Sequence, residues 1–379
     1  MTERTAIATA SRLVVKVGSS SLTDASGKLN EARLAELVDA LAACRARGQD
    51  VVLVSSGAIA TGLAPLELKQ RPRDLASQQA AAAVGQSLLV GHYVRLFAKH
   101  GMTVGQVLLT VADVVRQDHY RNALRTFTRL LELGAVPVVN ENDTVATHEI
   151  RFGDNDRLAA LVAHLVRADA LVLLSDTDAL YTAHPSDPAS RRVDEVFDID
   201  DLDVDVDRAG SSVGSGGMAA KLQAARIATG SGIPVVVAAA ADVGPVLDGV
   251  PLGTFFHPTG KRRRRKLLWL AYASQSQGEL VVDEGAARAV RERQASLLPA
   301  GVIGVRGDFH VGDPVRLVTP DGTVVGRGLV NYDAAEVPAL MGRSTHELAE
   351  TLGERFEREV VHRDDLIVKP VKAPGSVRP

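Results

Sequence analysis

Short apolar, β-rich runs alternate with segments whose apolar residues recur at helical spacing, and few folds satisfy that alternation. Strand-like runs fall at 13–17, 51–54, 104–109, 136–139, 171–174 and 234–238. Between them, Leu34, Leu37, Val38 and Leu41 follow a candidate helix cap at Asn30, and further helical patterns cover 75–97, 121–133 and 218–228. Another begins at Asn155 and places Leu158, Leu161, Val162 and Leu165 on one face. Strand, helix, strand in series is a crossover unit, and such units build parallel sheets with helices on the faces. About eight strands in this style predict one α/β domain over residues 1–260, a three-layer αβα sandwich around a mostly parallel sheet. No internal repeat of fixed period occurs.

The grammar changes after residue 260. Six basic residues, Lys261-Arg262-Arg263-Arg264-Arg265-Lys266, open a segment over 261–278 that reads as a solvated linker, with a nucleic-acid or localisation patch as its alternative. Beyond it come short strand-like runs at 279–282, 301–306, 314–318 and 323–329, the last two joined by Asp321-Gly322 as a hairpin turn. They predict a small β-rich module over 279–357 and a tail over 358–379. The 379 residues carry 43 basic and 46 acidic side chains, a net charge of −3 that does not advertise nucleic acid. Cys44 is the only cysteine, which excludes an intramolecular disulfide and a thiolate zinc cage. Residues 1–12 lack an apolar signal core, and the apolar run at 235–241 is too short to span a bilayer, so the expectation is a soluble, cytoplasmic protein without membrane contact.

Polar residues gather at the expected strand ends. Asn140-Glu141-Asn142-Asp143-Thr144-Val145 follows the run at 136–139, and Gly153-Asp154-Asn155-Asp156 opens the next helix. In open α/β sheets ligands bind outside the carboxyl ends of strands, so the two clusters read as a place for a small charged substrate. The alternative is turn formation and helix capping. Three glycine-rich turns supply anion cradles: Lys16-Val17-Gly18-Ser19, Ser55-Ser56-Gly57-Ala58, and Gly214-Ser215-Gly216-Gly217-Met218-Ala219-Ala220-Lys221. Small residues expose backbone N–H groups there, and two of the turns add a lysine. No Walker A loop and no GxGxxG after the first strand is present. His362-Arg363-Asp364 lies too near Pro379 to be a kinase catalytic loop, and Asp203-Val204-Asp205-Val206-Asp207 lacks the glycine and glutamate of a calcium loop.

Together with Ser175-Asp176, these segments closely resemble the amino acid kinase family, and within it the members that phosphorylate L-glutamate in the first step of proline biosynthesis. The module over 279–353, with Val281-Val282-Asp283-Glu284-Gly285-Ala286 and Ser296-Leu297-Leu298-Pro299-Ala300-Gly301, resembles a PUA domain. The resemblance implies ATP as cosubstrate with Mg2+, L-glutamate as phosphoryl acceptor, proline as feedback inhibitor and assembly as a homo-oligomer. Carried over by position, Lys16 and Lys221 would bind phosphate and Asp156 would organise them. Ser56, Gly57, Asp143 and Asn155 would contact glutamate. Ser175, Asp176 and the run Ser215, Gly216, Gly217, Met218, Ala219, Ala220 and Lys221 would line the ATP site with Lys16, and no side chain is implied as a metal ligand.

The chemistry fits this inventory. A glutamate γ-carboxyl with an ordinary pKa of about 4.3 is ionised at neutral pH and needs no general base. Phosphoryl transfer needs alignment and cations over the moving charge. Two other readings stay open: a relative acting on aspartate, N-acetylglutamate or carbamate, among which the free-amine-pairing Asp143 argues for an unacylated acceptor, and an RNA-binding protein built on the PUA-like module and basic linker.

Overall fold

The computed structural model describes residues 4–24, 28–115, 117–145, 155–183, 187, 189–202, 217–259, 276–293 and 295–368. The basic run at 261–266, Gly153, Asp154, Ser215, Gly216 and the acidic alternation at 203–207 lie outside them. The chain divides into two compact units, Met1–Arg262 and Arg263–Pro379.

The first unit runs α1 (Thr5–Thr9), β1 (Arg12–Val17), α2 (Ser19–Leu22), α3 (Glu31–Ala46), β2 (Asp50–Ser55), α4 (Ala58–Leu63), α5 (Leu75–Ala98), β3 (Val104–Leu109), α6 (Val111–Val115) and α7 (Gln117–Glu132). It continues with β4 (Val136–Glu141), α8 (Asn155–Leu165), β5 (Ala170–Ser175), β6 (Leu180–Tyr181), β7 (Arg192–Val193), β8 (Glu195–Val196), α9 (Met218–Thr229), β9 (Val235–Ala239), α10 (Val243–Leu247) and β10 (Thr254–Phe256). Eight strands form one sheet in the order β3-β4-β2-β1-β5-β9-β10-β8. Every pairing is parallel except β9 with β10. The small pair β6–β7 stands apart.

Strand alternation sorts the two faces. Leu13, Val15 and Val17 of β1 join one core with Leu34, Leu37 and Val38 of α3, Tyr93 and Phe97 of α5, and Val246 of α10. Val14 and Lys16 point to the other face, which α8 and α9 cover. Helices on both sides make the three layers. The Asn30 cap is formed, its side-chain oxygen accepting from the Arg33 amide at 3.1 Å. At β1 the strand order reverses, since the chain leaves it for β2 on one side and adds β5 on the other; crevices at such points hold ligands.

Two glycines fix the helix after β2. A Cβ on Gly85 of α5 would stand 1.8 Å from the Ala58 carbonyl oxygen, and one on Gly62 of α4 would stand 1.9 Å from that of Ala81. The helices therefore meet backbone to backbone, which only glycine permits.

The second unit has β11 (Gly278–Val282), α11 (Glu284–Arg293), β12 (Val302–Gly307), β13 (Pro314–Val318), β14 (Val324–Val330), α12 (Val337–Leu340), α13 (Thr345–Leu352) and β15 (Val361–Val368). Its five-stranded sheet is ordered β12-β11-β13-β14-β15, with only β11–β13 parallel. Its core gathers Leu280, Val282, Val290, Leu317, Tyr332 and Leu348. One expectation is corrected here. The sequence reading ends the module at 357 and leaves 358–379 as tail, yet residues 361–368 form an edge strand on β14. His362, Arg363, Asp364 and Asp365 interrupt its apolar pattern because an edge strand tolerates charge on the side facing water. Among the described residues of either unit, no helix is long and apolar enough to cross a membrane.

Candidate active site

The polar side chains of the first unit converge at the carboxyl ends of β1, β2 and β4 and the first turns of α8 and α9. Lys16 is the penultimate residue of β1 and is flanked in register by Val54 of β2 and Leu173 of β5. Its alternation partners Val15 and Val17 enter the α3–α5 core, so its own side chain passes to the α8 side. There its ammonium lies 2.5 Å from Oδ1 of Asp156, and Lys221 donates to Oδ2 of the same carboxylate at 3.3 Å. All three groups are almost fully buried, at 3%, 1% and 5% exposure. Burial pushes the Asp156 carboxyl up, but the Lys16 and then the Lys221 ammonium outweigh it and hold the group below its ordinary value. Asp156 also lies in the first turn of α8, where the helix dipole favours an anion. The result is a buried carboxylate shared by two buried ammoniums.

A second cluster is built from amides. Asn155, beside Asp156 on α8, donates to Ser56 Oγ at 3.0 Å and to Asn140 Oδ1 at 3.1 Å, and accepts from the Glu141 amide at 3.2 Å. Asn140 in turn donates to Gln86 of α5 at 2.5 Å. Ser55 shares a hydrogen bond of 2.8 Å with Tyr93. Gly57 adopts φ 106°, a left-handed conformation that turns the chain from β2 into α4. The Ser56 amide reaches the carbonyl of Val17, so this turn is tied to the end of β1.

Asp143 follows in the turn after β4 and is also buried. Burial raises its carboxyl to about 6, opposed only by the positive charge of Arg71. It makes no hydrogen bond or ion pair with a described residue. Ser175 ends β5 and donates to Asp176 at 3.1 Å. Gly217 precedes α9, and Met218, Ala219, Ala220 and Lys221 form its first turn.

The structure thus brings Lys16, Asp156 and Lys221 into one contact group and Ser56 and Asn155 into another. Ser175 and Asp176 at the end of β5 and the first turn of α9 supply the nucleotide-side candidates from two separate elements. Sequence reasoning puts Asn140 in the substrate cluster without giving it a role, and leaves Gln86, Tyr93 and Arg71 out of the site. Asn140 had a signal, since it is a polar residue on an otherwise apolar buried strand. Gln86, on a long alanine-rich helix far away in the chain, had none.

Magnesium has no protein cage among the described residues, where no cluster of three acidic, histidine or cysteine side chains stands together. The buried carboxylate at the centre is already shared by two lysines. This donor set fits a metal that arrives on phosphate oxygens and keeps its waters.

Residues 11–239 match the model of the amino acid kinase family, and residues 278–352 match that of the PUA domain. A glutamate 5-kinase of Streptomyces coelicolor is 60% identical over 367 residues, covering 96% of this chain and 98% of its own length. One of Salinispora arenicola is also 60% identical over 367 residues, covering 96% of this chain and all of its own. Among solved structures, a carbamate kinase from Giardia lamblia bound to AMP-PNP aligns with a TM-score of 0.49 at 16% identity, over 66% of this chain and 99% of that one. By its family match and its near-full-length relatives, the chain belongs to the amino acid kinase family.

Proposed function

We propose that the chain is a glutamate 5-kinase, transferring the γ-phosphoryl group of ATP to the γ-carboxylate of L-glutamate. The observation that carries this reading is the buried Lys16–Asp156–Lys221 group, next in the chain to the Asn155–Asn140–Ser56 hydrogen-bond network and in a chain whose relatives bear that name. Lys16 and Lys221 take the charge of the transferring group from two sides, and Asp156 keeps their ammoniums apart and aimed. Fixed cations in a water-poor site act on developing charge at little reorganisation cost. Ser175, Asp176 and the stretch 215–221 line the nucleotide. Magnesium, held by phosphate oxygens and water, would neutralise the β- and γ-phosphates.

On the acceptor side, Asp143 pairs with the substrate ammonium and Asn155 with Ser56 orients its carboxylates. The amides of the Ser56-Gly57 turn hold the α-carboxylate. A buried carboxylate without a cation at contact distance favours an acceptor with a free amine over an acylated one. The kinase unit ends near residue 260, the second unit is regulatory or assembly-related, and the enzyme works as a cytoplasmic homo-oligomer inhibited by proline.

The deciding experiment traps acyl phosphate as hydroxamate with ATP and magnesium, offering glutamate, aspartate, N-acetylglutamate and carbamate in parallel. Glutamate alone should give rapid product. Equal or faster product from an acylated or shorter acceptor would overturn the assignment.

A further inference from the structure

The second unit carries a cleft whose charged groups do not satisfy one another. It measures about 610 Å³ and opens between α11 and the turn joining β13 to β14, lined by Glu284, Arg288, Arg291 and Glu292 from the helix and Thr319 and Thr323 from the turn. That is room for a small molecule. Asp321 also borders it, but its carboxylate accepts from the Thr319 hydroxyl and from the Thr323 amide and hydroxyl, which hold it down at about 2. It is committed to its own turn.

The helix charges differ. Arg288 stands four residues from Glu284 on one side and from Glu292 on the other, the spacing at which helical ion pairs form. None of the three makes an ion pair or hydrogen bond with a described residue. Arg291 reaches only the Val324 carbonyl, at 3.5 Å, and its buried Nε has no acceptor. Buried N–H groups are nearly always satisfied, so the orphan Nε leaves the Arg291 guanidinium short of acceptors beside the cleft. Glu284, Arg288 and Glu292 are exposed to water; a lone anion there would leave the two glutamates without a counter-charge, and a lone cation the two arginines.

We propose that this cleft binds a small zwitterion of the α-amino acid class, its carboxylate on Arg288 and Arg291 and its ammonium on Glu284 and Glu292. Paired N–H donors of a guanidinium match a carboxylate in two-point fashion. The site lies wholly within the second unit and uses none of the residues assigned to phosphoryl transfer.

The test uses the full chain labelled with 15N-arginine, the Nε–H signals of Arg288 and Arg291 being identified by Arg288→Lys and Arg291→Lys. The probes are the proteinogenic amino acids, acetate and methylammonium. At least one amino acid should move both signals at millimolar concentration, with acetate and methylammonium weaker by on the order of tenfold or more, the loss of one charged hydrogen-bonding end. Glu284→Gln combined with Glu292→Gln should weaken the amino acid by a similar factor and leave acetate unchanged. Arg288 has no partner to lose, so Arg288→Gln should abolish binding at unchanged melting temperature. Signals that no amino acid moves, or that acetate moves at equal concentration, would overturn the proposal.

Discussion

At the ends of β1, α8 and α9, two lysines flank one carboxylate; at the end of β4, a second buried carboxylate has no cation in contact among the described residues. Asp156 is held below its ordinary pKa by Lys16 and Lys221, despite burial that pushes the other way. Asp143 is raised to about 6 because burial acts almost unopposed. The first arrangement holds its opposite charges in contact, which suits the role proposed for it of acting on the charge of a transferring group. The second is costly as it stands, on the order of 3 kcal/mol at neutral pH, and such a cost is what a substrate ammonium would relieve.

The largest effect should come from breaking the completed group. Asp156→Asn takes from two buried ammoniums the carboxylate they share, which by analogy with broken buried pairs costs about 3–5 kcal/mol of stability. ATP should then raise the melting temperature of the variant more than that of the wild type, because phosphate supplies the missing negative charge. Equal ATP shifts in the two proteins would detach the lysines from the nucleotide.

Next in size are the lysines. Lys16→Ala and Lys221→Ala should each lower kcat by about 10²–10³ while changing the glutamate KM little, as expected when a preorganised charge contact to the transition state is lost. A near-normal kcat in either variant removes that lysine from the chemistry.

Asp143 should behave in the opposite manner. Asp143→Ala should raise the glutamate KM by about thirtyfold or more with the ATP KM unchanged, the low end of what a desolvated charge pair is worth. Asp143→Asn should be milder in binding and more stable when substrate-free. The sign follows from linkage: the folded protein holds this proton more tightly than the unfolded chain. The penalty therefore grows as pH rises from 3.8 to about 6 and is constant above. Denaturant titrations of wild type and Asp143→Asn should diverge across that window and run parallel beyond it. In the same window the wild-type glutamate KM should rise as pH falls, by roughly tenfold per unit below 6. If Asp143 merely caps a turn, both substrates suffer alike and no such pH slope appears.

The smallest effect concerns the units. A chain ending at Thr259 should fold and retain measurable kinase activity, since every side chain assigned to phosphoryl transfer precedes it and the unit boundary falls at Arg262. Insoluble or inactive protein would show that the second unit completes the first.

The parts of this picture written in local order are legible in the chain. Apolar runs and helical spacing announce the sheet and its layers, and Asn30 announces its helix because a cap acts within one turn. Lys16, Asp156 and Lys221 are found by motif, but their meeting on one carboxylate depends on three elements far apart in sequence. The amide network is less visible still. Asn140 and Gln86 touch across 54 positions, and nothing local marks the glutamine. Gly62 and Gly85 likewise read as ordinary helix glycines until the crossing of α4 and α5 reveals why no side chain fits. The edge strand β15 is hidden by its own charges, which mimic a tail.

The position of Lys16 on β1 has a consequence for how the enzyme fails. That strand is hydrogen-bonded on both sides, to β2 and to β5, and is buried above and below. Backbone amides in such a place exchange with solvent only when the whole domain opens, so those of β1 should be among the slowest in the molecule. The phosphate clamp proposed for Lys16, mounted there, cannot be lost by local fraying. Heat or denaturant should leave turnover at saturating substrate proportional to the fraction of folded molecules, with no population that is folded yet unable to hold phosphate.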